Sequence, residues 1–181
     1  MNEANDAAST RERIHGVAAE LYVLRGYEGF SFGDIAARIG VTRANIHHHF
    51  GTKRRLMEEL SEGFGRDAEA RIALHWSRPG VSFAARLGAQ RADLRSFYDR
   101  FNPRPGTRNV WSPLSRLRLD VPVLGTLATG VLERVNRSYD RCLRSAVTEA
   151  VASGEFAPAT AVDDVVCVLR TTLQSCGPIT Q

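Results

Sequence analysis

The stretch FSFGDIAARIGVTRANIHHHF, Phe30 to Phe50, has little freedom in how it folds, because each of its turns carries a start or stop signal. Ser31 with Asp34 three residues on has the form of a capping box, and Phe30 with Ile35 that of a hydrophobic staple. A short helix to about Ile39 follows. Gly40 suits the left-handed residue that ends a helix, and Thr42 caps the next one, with Val41 and Ile46 as its staple. A further helix starts at Thr52, with Leu56, Met57 and Leu60 on its inner side. Two short helices joined by a glycine-containing turn, and tied together by Ile35, Ala36, Ile39, Val41 and Ile46, form a helix-turn-helix pattern. The second helix must then expose its other face. There Arg43, Asn45, His47 and His48 can donate or accept at base edges or phosphates, and small Ala44 permits close approach. Arginine reads guanine and asparagine reads adenine in the major groove.

The rest of the chain also reads as helix. Ser9 with Glu12 has capping-box spacing, and Ile14, Val17, Ala18, Leu21 and Leu24 recur at helical spacing, which predicts a first helix from about Thr10 to Arg25, closed by Gly26. Beyond Gly65 a loop leads into a helix with Phe83, Leu87, Leu94, Phe97 and Phe101 as inner positions. NPRPGTRN is a break, and Trp111, Leu114 and Leu117 suggest a short helix after it. Asp120 with Pro122 in the first turn starts a long helix that ends near SGEFAP, and Thr160 with Asp163 repeats the capping spacing before a last one. No stretch alternates as a strand does, so the expected fold class is all-α. An N-terminal three-helix, helix-turn-helix domain over residues 1–64 precedes a helical domain over residues 65–181.

Composition narrows the function classes. No apolar run has the length of a membrane span, and MNEANDAASTRER carries acids where a signal peptide carries basic residues, so a soluble, cytoplasmic protein is expected. Cys142, Cys167 and Cys176 are three and widely spaced, which reads as buried or half-buried free thiols rather than a disulfide framework or zinc site. The net charge of +4 does not point to the N-terminal part: through Gly65 there are eight basic and nine acidic residues. Local order does, because five basic residues and no acid lie between Ile35 and Met57. Successive helical residues point about 100° apart, so His47, His48 and His49 cannot converge on one metal ion. No carboxylate stands in that segment to orient a catalytic histidine.

From about Thr10 to Leu60 the chain resembles the DNA-binding domain of the TetR family of transcriptional regulators, on the stretch FSFGDIAARIGVTRANIHHHFGTKRRLMEEL. The resemblance implies that Thr42, Arg43, Ala44, Asn45, His47 and His48 face DNA and that Lys53, opening the fourth helix, holds a phosphate. His47 and His49 stand where tyrosines are commoner in the family, and Phe32-Gly33 where polar residues often stand. It also implies a repressor that binds a palindromic operator in double-stranded DNA as a homodimer, pairing through the last two helices. A small-molecule effector, of unidentified chemistry, would release it from the operator. No further cofactor is implied. Relatives often continue beyond the point where SCGPITQ ends this sequence, so a shorter or rearranged dimer interface is an expectation.

The effector pocket implied by the resemblance would be lined by Phe97, Phe101, Trp111, Leu114, Leu117, Leu127 and Tyr139, each of which also suits ordinary core. Arg104, Arg108, Arg116 and Arg118 border it and suit an anionic ligand, or plain solvation. Two other classes compete. A sequence-tolerant architectural DNA binder would bind through phosphates, yet the chain has a single lysine. An enzyme would need a phosphate loop, a nucleophile elbow or a paired metal motif, and the sequence has none of them; Asp163-Asp164, its one adjacent carboxylate pair in the later helices, reads as a helix start.

Overall fold

The computed structural model describes the backbone from Glu3 to Ile179 and side chains over residues 10–174; Cys176 and the side chain of Ser9, both singled out above, lie outside those described side chains. The described residues form helices only: α1 Glu3–Arg25, α2 Phe32–Ile39, α3 Arg43–Phe50, α4 Lys53–Trp76, α5 Phe83–Phe101, α6 Pro113–Leu119, α7 Val121–Leu124, α8 Thr126–Ala152 and α9 Val162–Ile179. No helix among them is long and apolar enough to cross a membrane.

The caps explain most of the boundaries. Ser31 Oγ accepts from Asp34 N at 3.3 Å while the Asp34 carboxylate accepts from Ser31 N at 2.8 Å, so the box closes in both directions. A hydrogen bond from Ser31 Oγ to the Asp34 carboxylate at 2.5 Å, followed by that from Ser31 N, holds the Asp34 carboxyl below its ordinary range. Gly40 sits at φ 73°, a conformation that a side chain would strain, and its N–H donates to Ala36 O at 3.0 Å. Thr42 Oγ1 and Thr52 Oγ1 accept from Asn45 N and Arg55 N, each at 3.1 Å.

Two boundaries depart from expectation. α1 begins at Glu3 rather than Thr10, because nothing between Glu3 and Ser9 breaks a helix and a started helix propagates cheaply. The long helix expected from Asp120 is split: Gly125, at φ 58° and ψ −130°, separates one turn from α8. Asp163 makes an ion pair with Arg144 of α8. Two inner assignments also move outward, Leu87 to 36% exposure and Cys167 to an exposed position, whereas Cys142 is buried.

Two apolar clusters hold the helices together. The first joins Ile14, Tyr22, Ile35, Ile46, Phe50 and Leu60 of α1 to α4 with Leu117, Leu124 and Val131 of α6 to α8. The second joins Ile72 and Trp76 of α4 with Phe83, Leu143, Val147 and Val166. The long α4 thus runs through both, and α8 packs along it; at their crossing, a Cβ on Gly65 would meet Arg134 Nη2 at 2.7 Å and Val131 Cγ1 at 3.0 Å.

Candidate nucleic-acid interface and internal cavity

α3 is anchored by its inner face and open on the other. Ile46 and Phe50 are fully buried, while Thr42, Arg43, Ala44, His47 and His48 are exposed. Asn45 is half-buried, and its Oδ1 is buried without a hydrogen-bond partner among the described residues. The ring of His47 packs edge-on against Phe32 with 4.7 Å between centroids, and its Nδ1 lies 2.8 Å from Gly51 O. A carbonyl can only accept, so Nδ1 carries the proton and Nε2 points away as the ring's other polar atom.

Arg43 leans back over α2. A Cβ built on Gly33 would come within 2.6 Å of Arg43 Nη2 and 2.8 Å of its Nε, so the missing side chain at position 33 makes the guanidinium's resting place. Gly33→Ala should therefore displace Arg43 at little cost in stability, since the far end of a flexible side chain can move away. The expected readout is an unchanged thermal midpoint with an altered preference in a selection of sites from random duplex DNA. An unchanged preference would show that Arg43 leaves Gly33 whenever DNA is bound.

Lys53 opens α4 beside the start of α2. Its Nζ donates to Phe30 O at 2.5 Å and stands 4.5 Å from the ring centroids of both Tyr27 and Phe30. Burial pushes the Lys53 pKa below its ordinary value, opposed by Glu28, Asp34 and Asp120. Arg54 pairs with Glu58 at 3.6 Å, and Arg55 is exposed.

Two basic residues earlier in the chain, Arg11 and Arg13, have internal tasks that sequence reasoning missed. Arg11 donates to His49 O at 2.8 Å, pairs with Glu59 at 2.5 Å, and covers the Phe50 ring at 4.4 Å. Arg13 donates to Ile39 O at 2.8 Å. Both satisfy carbonyls that end short helices, and no local signal in the sequence pairs positions so far apart.

A cavity of about 280 Å³ lies among α1, α4, α5, α6, α8 and α9. Of the predicted lining, Phe97, Phe101, Trp111, Leu114 and Tyr139 reach it; Leu117 and Leu127 do not, and pack in the first apolar cluster instead. Its polar lining includes Gln90, which accepts from the Trp76 indole at 3.1 Å, and Arg118. α6 is shared between this cavity and α1. Leu114, Ser115 and Arg118 line the cavity, whereas Arg116 Nε and Nη2 donate to Val23 O and Leu24 O at 3.0 and 3.1 Å. Asp120, just past α6, accepts from Tyr27 N at 2.8 Å.

With this geometry in place, the likenesses to known proteins are informative. Residues 14–60 match the family of bacterial regulatory proteins called the tetR family. Over 57 residues the chain is 40% identical to the HTH-type transcriptional regulator AcrR of Shigella flexneri, a stretch that is 32% of this chain and 26% of that relative's length. Among solved structures, a TetR transcriptional regulator from Chloroflexus aurantiacus superposes with a TM-score of 0.75 at 22% identity, covering 97% of this chain and 86% of that one. A TetR-family regulator from Agrobacterium tumefaciens gives 0.73 at 22% identity, over 96% and 87% of the two chains. NemR of E. coli in its reduced form gives 0.73 at 15% identity, over 92% and 84%. At these identities the structural likeness establishes the shared fold.

Proposed function

We propose that this chain, whose residues 14–60 match the tetR family of bacterial regulatory proteins, represses transcription by binding a palindromic operator as a homodimer and lets go when a small molecule enters the cavity. Residues 1–64 would read DNA, and residues 65–181 would hold the effector and pair the two copies. The observation that carries this reading is the doubly capped α2–α3 unit. It fixes α3 on a core while leaving Thr42, Arg43, Ala44, His47 and His48 exposed on one surface. Asn45 lies at the edge of that surface, and Lys53 would hold a phosphate where α2 and α4 begin.

Dimerisation follows from the reach of one such unit, which covers only a few base pairs, whereas two related by a two-fold axis cover a palindrome. On α9, Val168 is 64% exposed beside exposed Cys167, in keeping with a face that pairs α8 and α9 with those of a second copy. Release would work as a population shift: the effector binds the form in which the two α3 helices are wrongly spaced.

The test is a selection of binding sites from random duplex DNA at two salt concentrations. The expected product is a palindrome with half-sites separated by about 34–36 Å or a multiple of it. Recovery of no motif, with affinity that collapses as salt rises, would instead favour the sequence-tolerant binder.

A further inference from the structure

The charges around the cavity are matched with two exceptions, the exposed Asp67 and the half-buried Arg118. Glu20 lies 3.6 Å from Arg100 and 3.1 Å from Arg38. Asp93 lies 3.5 Å from Arg71 and 3.4 Å from His75. Asp67 is exposed to water. Arg118 is half-buried in the wall, and among the described residues no hydrogen bond or ion pair reaches its guanidinium. Burial pushes its pKa below the ordinary arginine range, and Tyr139 opposes that shift. Arginine keeps its proton throughout the accessible pH range, so it cannot escape the cost of burial by becoming neutral. A half-buried cation without a protein partner is left under-satisfied, and a planar oxyanion placed against its fork supplies the missing hydrogen bonds.

The other arginines that border this region are spoken for. Arg116 is bonded to the end of α1, and Arg104 and Arg108 are exposed away from the cavity. With one unmatched cation and one unpaired carboxylate, Asp67, in the wall, a single negative charge can be paired while a dianion such as a phosphate monoester is disfavoured. Beside the charged pairs and Gln90, Ser112, Ser115 and Gln174, the wall is aromatic and aliphatic, and 280 Å³ is at the small end of ligand sites. We propose that the cavity is a receptor for a small amphipathic monocarboxylate, its carboxylate paired with the Arg118 guanidinium and its aromatic or acyl body against Phe97, Phe101, Trp111 and Leu114. This deepens the effector reading above and rests on it for its regulatory meaning.

The test uses a matched pair of probes, 4-phenylbutyrate and 4-phenylbutyramide, titrated into the full-length protein by calorimetry with the fluorescence of Trp111 and Trp76 as a second readout. The carboxylate should bind about tenfold tighter or better than its neutral amide, as expected for a charge-assisted pair. Arg118→Gln should abolish the preference, and Arg118→Lys should keep part of it. Should Arg118→Gln fail to fold by circular dichroism, the wild-type preference and the Arg118→Lys result decide. Equal affinity for the two probes, a preference that survives in Arg118→Gln, or no binding of either at millimolar concentration overturns the proposal. Adding operator DNA separates the two readings. Carboxylate-selective binding that leaves the operator complex intact removes the release mechanism and leaves the anion site standing, whereas release that ignores the carboxylate removes the anion site alone.

Discussion

Arg86→Ala is expected to lower the unfolding free energy by about 3 kcal/mol, read from denaturant midpoints at neutral pH. Its side chain is 3% exposed and bonds to four groups at once: Trp76 O at 3.0 Å, Val81 O at 2.9 Å, Arg78 O at 2.8 Å and Glu149 Oε2 at 2.5 Å. Trp76 is the last residue of α4, so its carbonyl has no partner within the helix. Alanine strands these carbonyls and cuts the bond that ties the α4–α5 turn to α8. Most of the loss comes from them rather than from the ion pair, because the Glu149 side chain is 51% exposed and screened by water. The pH dependence has a definite sign. The hydrogen bond from Arg86 is the main cause that holds the Glu149 carboxyl below its ordinary range. Its contribution is present above the unfolded-state pKa and is lost as pH falls through the folded one. In Arg86→Ala that part of the acid loss should disappear. Glu155, depressed chiefly by bonds from Ala84 N and Phe83 N, should keep its own. A midpoint within experimental error of wild type would show that water replaces all four bonds.

The parts of this fold legible in the sequence are those whose cause is local. Ser31 and Asp34, Gly40, Thr42 and Thr52 act over three or four residues, so α2, the turn and the starts of α3 and α4 fall where their caps put them. The anchors fixed at long range are different. Arg13 reaches a carbonyl 26 residues on, Arg11 one 38 residues on, and Arg116 one 93 residues back. A sequence shows such residues only as charges, equally suited to solvent. Gly125 illustrates a second limit: inside a long apolar-periodic segment a glycine can be tolerated or can break the helix, and here it takes a conformation closed to other residues. The cavity shows a third. Leu114 and Leu117 are equally apolar, but α6 has apolar neighbours on two sides, and residues advance about 100° each. Leu114, Ser115 and Arg118 fall on one stripe, and Arg116, Leu117 and Asp120 on another. Composition cannot say which stripe meets a cavity, which is why Leu117 was expected there and is found in the core.

On the function proposed above, the Arg116→Met, Asp120→Ala double variant is expected to bind operator as the wild type does and to ignore the effector. The two stripes of α6 make one rigid turn of helix answer to both the cavity and α1. A ligand that presses on Leu114 or draws on Arg118 moves the same helix whose Arg116 holds Val23 O and Leu24 O. Asp120 holds Tyr27 N across a narrow gap: a Cβ on Gly26, which sits at φ 75°, would meet Asp120 Oδ1 at 3.3 Å and Arg116 Nη1 at 3.4 Å. These bonds grip the end of the helix that leads into α2 and α3, and so form a polar connection from α6 to that unit beside the direct one that Glu20 of the cavity wall makes to Arg38 of α2. Coupling between two sites in one protein typically changes affinity by about 5–150-fold, and the double variant should reduce the effector's effect on operator affinity to less than about threefold. Both substitutions leave Leu117 in its core, so the stability cost should stay near about 1–2 kcal/mol. Operator titrations with and without the ligand that releases the wild-type protein measure the effect. Full release of the variant would place the coupling in the Glu20–Arg38 pair or in the apolar packing of Leu117 and Leu124. Loss of operator binding without any ligand would mean that the grip sets the position of α3 rather than transmitting a change to it.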